Sequence, residues 1–141
     1  MARSAFLDAN VLLDLTLKRE GFEKAAEIVR LAIKGRIALF TSSSIIHLLG
    51  YWLTKGYGQA KAKELILSLM EEVRVLETTH DVIIQALESK IPDIEDAIQY
   101  HTGVYHQLDV FVSRDRSLQR TATSSLRICS PTEFLRNQEN L

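Results

Sequence analysis

Cysteine occurs once in the 141 residues, at Cys129. A single thiol cannot close an internal disulfide, and it excludes a zinc cluster built from cysteines. No apolar run approaches the ~20 residues that span a bilayer. Met1 to Phe6 hold one arginine and then a short apolar stretch, without the longer apolar region and cleavage site of a secretory signal, so the cytoplasm is the expected compartment. Charge of one sign is also lacking. A formal net charge of −1 provides no broad basic field of the kind that grips duplex DNA through many phosphates. Any contact with nucleic acid has to be local, and cations held in an acidic pocket could supply the missing positive charge.

What is present is the composition of an ordinary globular protein, 46% hydrophobic and 25% charged, with no repeat, low-complexity tract or linker. One domain over residues 1–141 is expected, with a polar tail at 136–141. Ser4 to Leu7 reads as a strand that ends at Asp8, and helical spacing resumes from Val11 to Leu17. Phe22, Ala25, Ile28, Val29, Ala32 and Ile33 trace a second helix that stops at Gly35. Arg36–Phe40 reads as a strand; the hydroxyls of Thr41 to Ser44 then offer caps for a helix over Ile45–Lys55, with Trp52 in its core-facing set. A helix through Ala60–Glu72, a strand at Val73–Leu76 and a helix at His80–Lys90 follow. Pro92 breaks the pattern, and Asp93 can cap a helix running to about His106. Asp109–Val112 and Leu126–Cys129 read as strands and Pro131–Leu135 as a final helical turn. Strands alternating with helices predict an α/β fold: three layers, with a central, mainly parallel sheet of four or five strands flanked by helices.

In open parallel sheets ligands bind beyond the carboxyl ends of the strands. Asp8 and Asp115 both stand just after a strand, and Asp96 lies in the first turn of its helix, three residues after Asp93. Carboxylates gathered in one place raise each other's pKa, a cost removed by a hard cation such as Mg²⁺ or Mn²⁺. Each acid also has a plain structural role open to it. Asp8, Asp93 and Asp115 can cap the helices that follow them, and Asp96 can complement a helix dipole. Glu95 points about 100° away from Asp96 around the helix and reads as solvated or as a neighbour of the ligands rather than a ligand; Asp14 reads as peripheral.

Phe6-Leu-Asp-Ala-Asn-Val-Leu-Leu-Asp14 resembles the opening of PIN domains, whose first strand ends in an aspartate followed two residues later by asparagine. Asp93-Ile-Glu-Asp-Ala97 is similar to the aspartate-bearing helix of a PIN branch found among prokaryotic toxin-like proteins. Val112-Ser-Arg-Asp115 matches a strand end in the family, and Ser130-Pro-Thr-Glu-Phe-Leu135 its closing segment. The resemblance covers nearly the whole chain in order. It implies that Asp8, Asp96 and Asp115 are catalytic, metal-binding acids, supported by Asn10, Ser113 and Asp93. Where PIN domains commonly carry a glutamate or another polar residue on the helix after the second strand, this chain has His47. Loss of a negative charge there is expected to weaken Mg²⁺ binding, although a neutral histidine can hold Mn²⁺.

The function implied is a Mg²⁺- or Mn²⁺-dependent ribonuclease acting on single-stranded RNA, with an antitoxin protein and a homodimer as the partners a toxin-like PIN protein would have. Arg114, Arg116 and Lys55 are candidate phosphate contacts by position. A PIN-fold binding or regulatory protein with little or no catalysis is the main alternative, and His47 is the feature that favours it. An aspartyl-nucleophile phosphatase ranks last, because that chemistry wants a second aspartate where this chain has Asn10.

Overall fold

The computed structural model describes residues 3–121 and 125–139. Five strands form one sheet: β1 (Arg3–Leu7), β2 (Ile37–Ser42), β3 (Val73–Leu76), β4 (Val110–Val112) and β5 (Arg127–Cys129). They lie in the order β3-β2-β1-β4-β5, and every adjacent pair is parallel. Helices α1 (Ala9–Thr16) and α2 (Phe22–Ile33) join β1 to β2; α3 (Ser43–Tyr57) and α4 (Gln59–Leu69) join β2 to β3. Helices α5 (His80–Glu88) and α6 (Ile94–Tyr105) lead to β4, α7 (Arg116–Thr121) precedes β5, and α8 (Pro131–Glu139) follows it.

The central strands show why this is a three-layer arrangement. Ala5, Phe6 and Leu7 are all buried, as are Val110, Phe111 and Val112. Successive residues of a strand face opposite sides, so both faces of the sheet must be covered, as parallel sheets require. Phe6 and Phe111 are register partners on β1 and β4, and their rings stack with centroids 4.9 Å apart. Beside them the buried hydroxyl of Tyr100, on α6, donates to the Leu126 carbonyl at 2.9 Å and accepts from the Leu126 amide at 3.0 Å. That pair ties α6 to the approach of β5.

Local chemistry sets the helix starts. Asp8, Ser42, Thr79 and Asp93 each accept a backbone N–H in the first turn of the following helix, which satisfies donors that would otherwise lack partners. No helix among the described residues is long and apolar enough to cross a membrane.

Three expectations need correction. Trp52 is 43% exposed, because the buried stripe of α3 is Ile45, Leu49 and Leu53 and Trp52 falls outside it. The last helix is not a single turn: α8 runs nine residues to Glu139, so the polar tail expected from 136 begins inside it, while Asn140 and Leu141 lie outside the described residues. Strand β2 extends through Thr41 and Ser42, which pair with Val75 and Leu76; the Thr41 hydroxyl also donates to the Leu7 carbonyl at 3.1 Å.

Candidate active site

From β1 the chain steps to β2 and β3 on one side of the sheet, then returns to place β4 and β5 on the other. The gap between the carboxyl ends of β1 and β4 is therefore the topological switch point, where a crevice opens in such sheets. Asp8 follows β1 directly, and Ser113, Arg114 and Asp115 follow β4. The Asp8 amide continues the ladder by donating to the Val112 carbonyl at 3.0 Å.

Ser113 joins the two strand ends. It is fully buried; its hydroxyl donates to Asp8 Oδ2 at 2.8 Å and accepts from the Asp115 amide at 3.1 Å. Asn10 supports the same junction. Its Nδ2 donates to Ser113 Oγ at 3.1 Å, and its Oδ1 accepts from the Arg114 amide at 3.1 Å. The other oxygen of Asp8 accepts from the Ala9 amide at 2.8 Å. Asp115 Oδ1 accepts from the amides of Ser117 and Leu118 at 2.9 and 3.2 Å, which anchors the start of α7. Capping and clustering thus coexist: Asp8, Asp93 and Asp115 each hold a helix start while standing near other acids.

The electrostatics describe one neighbourhood. Burial holds the Asp8 carboxyl above the usual carboxylate range, against the lowering effect of its hydrogen bonds to Ser113 and Ala9, and Glu95 and Asp115 add to the rise. Asp96 is pushed up to about 7, first by burial and then by Asp93, Asp8, Asp115 and Glu95. Asp93 also accepts the Asp96 amide at 2.9 Å. Glu95 is exposed and contributes negative potential at both Asp8 and Asp96. Among the described residues no lysine or arginine forms an ion pair with Asp8, Asp96 or Asp115.

These donors suit a hard divalent cation, since they are oxygens gathered without a compensating charge. Among the described residues no three His, Cys, Asp or Glu side chains are arranged to hold one metal ion as a group. Mg²⁺ seldom needs such a group: it keeps several waters and is commonly held by one or two carboxylates plus substrate phosphates. The residues therefore fit an ion of that type.

Two features escaped the sequence reading. Asp14 is not peripheral but buried at 1% exposure. Its carboxylate receives Nε and Nη2 of Arg114 at 2.5 and 3.0 Å and Nε of Arg19 at 3.1 Å. Arg114, considered as a phosphate contact, is thereby committed to a carboxylate that braces the turn carrying Ser113 and Asp115. Gly21 leaves the room for this: an added Cβ would meet Asp14 Oδ2 at 2.2 Å. The spacing of Asp14 from Arg19 was visible in the sequence, but its pairing with a residue 100 positions away was not. The second feature is Gln99. Buried at 1% exposure, it accepts from the Ser42 hydroxyl and donates to Ser44 Oγ at 2.6 Å, locking α6 to the start of α3.

His47 is exposed and lines a groove of about 510 Å³ between α3 and α4, which none of the acids lines. Arg116 is exposed beside Arg19 and Arg114 on a wider groove of about 1140 Å³, whose lining includes Glu20, Glu23, Glu27 and Glu133.

No curated protein sequence matches the chain. Solved structures do resemble it. VapBC2 from Rickettsia felis, bound to a DNA fragment from its promoter, superposes with a TM-score of 0.72 at 12% identity, covering 90% of this chain and 98% of that one. A toxin–antitoxin complex from Klebsiella pneumoniae gives 0.66 at 16% identity over 90% and 97% of the two chains. VapC20 of Mycobacterium tuberculosis, a toxin that cleaves the sarcin–ricin loop, gives 0.66 at 18% identity over 87% and 98%. At these identities the likeness is one of fold. The sequence model of the PIN domain matches residues 4–117, a span that takes in β1 through the start of α7 and all three acids, and the chain belongs to the PIN domain family.

Proposed function

We propose that this protein is a metal-dependent ribonuclease that hydrolyses phosphodiester bonds in single-stranded RNA, and that it serves as the toxin of a toxin–antitoxin pair. The observation that supports the reading is that burial and the charge of neighbouring acids, Asp115 among them, raise the Asp8 and Asp96 carboxyls, with Ser113 bonded to both Asp8 and the Asp115 amide. Membership of a family of nucleases supports the same chemistry. One or two of Asp8, Asp96 and Asp115, with water and a substrate phosphate, would hold Mg²⁺ or Mn²⁺. Such an ion, when bound, supplies a water of lowered pKa and neutralises charge on the phosphate.

The chain's own groups prepare that site. Ser113 and Asn10 fix the orientation of Asp8 and the turn before Asp115, and Asp14 holds that turn through Arg114. Asp96 retains a proton near neutrality in the metal-free pocket, so loading the site means displacing it. One structural relative is a toxin–antitoxin complex and another a toxin; an antitoxin partner and a homodimer are proposed here on that likeness.

The test is cleavage of single-stranded RNA in Mn²⁺ by the parent, Asp8→Asn and Asp96→Asn. A loss of about 100-fold in each variant is expected, whereas equal cleavage by all three removes these acids from the mechanism. His47 favours the second reading, a PIN-fold binding protein without strong catalysis, because the position offers no carboxylate. Calorimetric titration with Mn²⁺ separates the two: uptake with turnover supports the nuclease, and folded protein with neither supports the binder.

A further inference from the structure

Helix α3 begins at the pocket's edge. Ser44, in its first turn, accepts from Gln99, which lies three residues beyond Asp96 on α6. From Ser44 the positions of His47, Tyr51 and Lys55 follow at spacings of three, four and four, which keeps them on one side of the helix over a rise of about 16 Å. All four are exposed. Tyr51 and Trp52 stand 55% and 43% exposed, with ring centroids 5.2 Å apart in an edge-to-face pair. The Lys55 ammonium lies 5.4 Å from the Tyr51 centroid and 5.7 Å from that of Trp52.

The groove beside this stripe is lined by His47, Gly50, Tyr51, Thr54 and, from α4, Gln59, Ala62, Lys63 and Ile66. No carboxylate lines it, whereas the wider groove mixes four glutamates with five lysines and arginines, two of which are already paired with Asp14. The face also carries apolar surface, but an apolar partner helix laid on Tyr51 and Trp52 would bury the Lys55 ammonium that stands over both rings without an opposite charge. Flat rings interleaved with cations are what a single strand uses, since bases stack on aromatic faces regardless of sequence and phosphates seek the charges.

We propose that this α3–α4 stripe is the path of single-stranded RNA away from the carboxylate pocket, with bases stacked on Tyr51 and Trp52 and phosphates met by Lys55 and Lys63. The proposal rests on the ribonuclease reading for its choice of ligand and extends it to a binding surface. Trp52 is the chain's only tryptophan, so its emission reports on the stripe directly.

The experiment titrates the full chain in EDTA with a mixed-sequence single-stranded RNA of about 12 nucleotides, following Trp52 emission and, with a labelled strand, anisotropy. RNA should quench Trp52. Tyr51→Ala should weaken binding about tenfold while Tyr51→Phe, which keeps the ring, binds as the parent does. Lys55→Gln and Lys63→Gln should each reduce the slope of log affinity against log salt by about 0.7. Unchanged emission together with parental binding by Tyr51→Ala overturns the path, as does quenching by an amphipathic helical peptide but not by RNA. Failures are separable: RNA cut in Mn²⁺ without a Trp52 response removes the path and spares the nuclease, while RNA bound on the stripe but never cut does the reverse.

Discussion

At Asp96 the same forces that suit a cation also load the folded state with a proton. Its carboxyl titrates near 7 in the fold, against an ordinary value of 3.8. Between those values the folded chain holds a proton that the unfolded chain has released, so metal-free stability is greatest at the acid end of this window, falls as pH rises through it, and levels off above about pH 7. Asp96→Asn abolishes that dependence. Denaturant titrations in EDTA should find the variant about 1 kcal/mol more stable than the parent at about pH 8 and little different at about pH 4, a size that allows for the solvent around a half-exposed group. A variant no more stable at high pH than the parent would show that burial and the neighbouring acids do not hold the Asp96 carboxyl up. Asp8 and Asp115 became candidates in the sequence because each follows a strand, whereas Asp96, structural by position alone, became one only through the likeness of its surrounding residues to the PIN pattern. Asp14 and Gln99 did not become candidates. Both sit within helices, and their partners are supplied by segments that only the folded sheet brings near.

Among the elements, the helix starts were legible for a related reason: a cap is a contact within one turn, and hydroxyls or carboxylates before an apolar run announce it. The outward face of α3 was obscure because the helix carries apolar residues nearly all round, from Ile45 and Ile46 through Leu48, Leu49, Tyr51 and Trp52 to Leu53. Periodicity cannot set the edge of the buried side when apolar residues cover most of the helix. What fixes the helix is partly polar. Gln99 bonds to Ser42 and Ser44 at its start, and Gln99→Leu would leave the buried Ser42 hydroxyl without that partner. We expect a loss of about 2 kcal/mol in unfolding free energy, together with weaker Mn²⁺ uptake, since α6 also carries Asp96. Full stability in Gln99→Leu would mean that the two helices are held by their apolar contacts alone.

For the molecule as a whole, alternating strands and helices were enough to predict a parallel, three-layer sheet, but not the order of its strands. Sequential neighbours tend to lie side by side, yet β4 lies beside β1 rather than β3, and this departure creates the crevice. The stacked Phe6–Phe111 pair sits at that seam with both rings fully buried. Phe111→Ala should cost about 3–4 kcal/mol and lower the melting temperature by about 10 °C; a shift of only a degree or two would show that the seam is not a principal source of stability.

The hydrogen bond from Ser113 to Asp8 spans 105 positions of the chain. Asp8 therefore receives the hydroxyl that orients it only after the 105 positions that separate the two residues have been made and folded back. Until β4 docks beside β1, the carboxylate at the end of β1 lacks both the Ser113 hydroxyl and the Val112 carbonyl that fix its place, so the acidic crevice is a late product of folding.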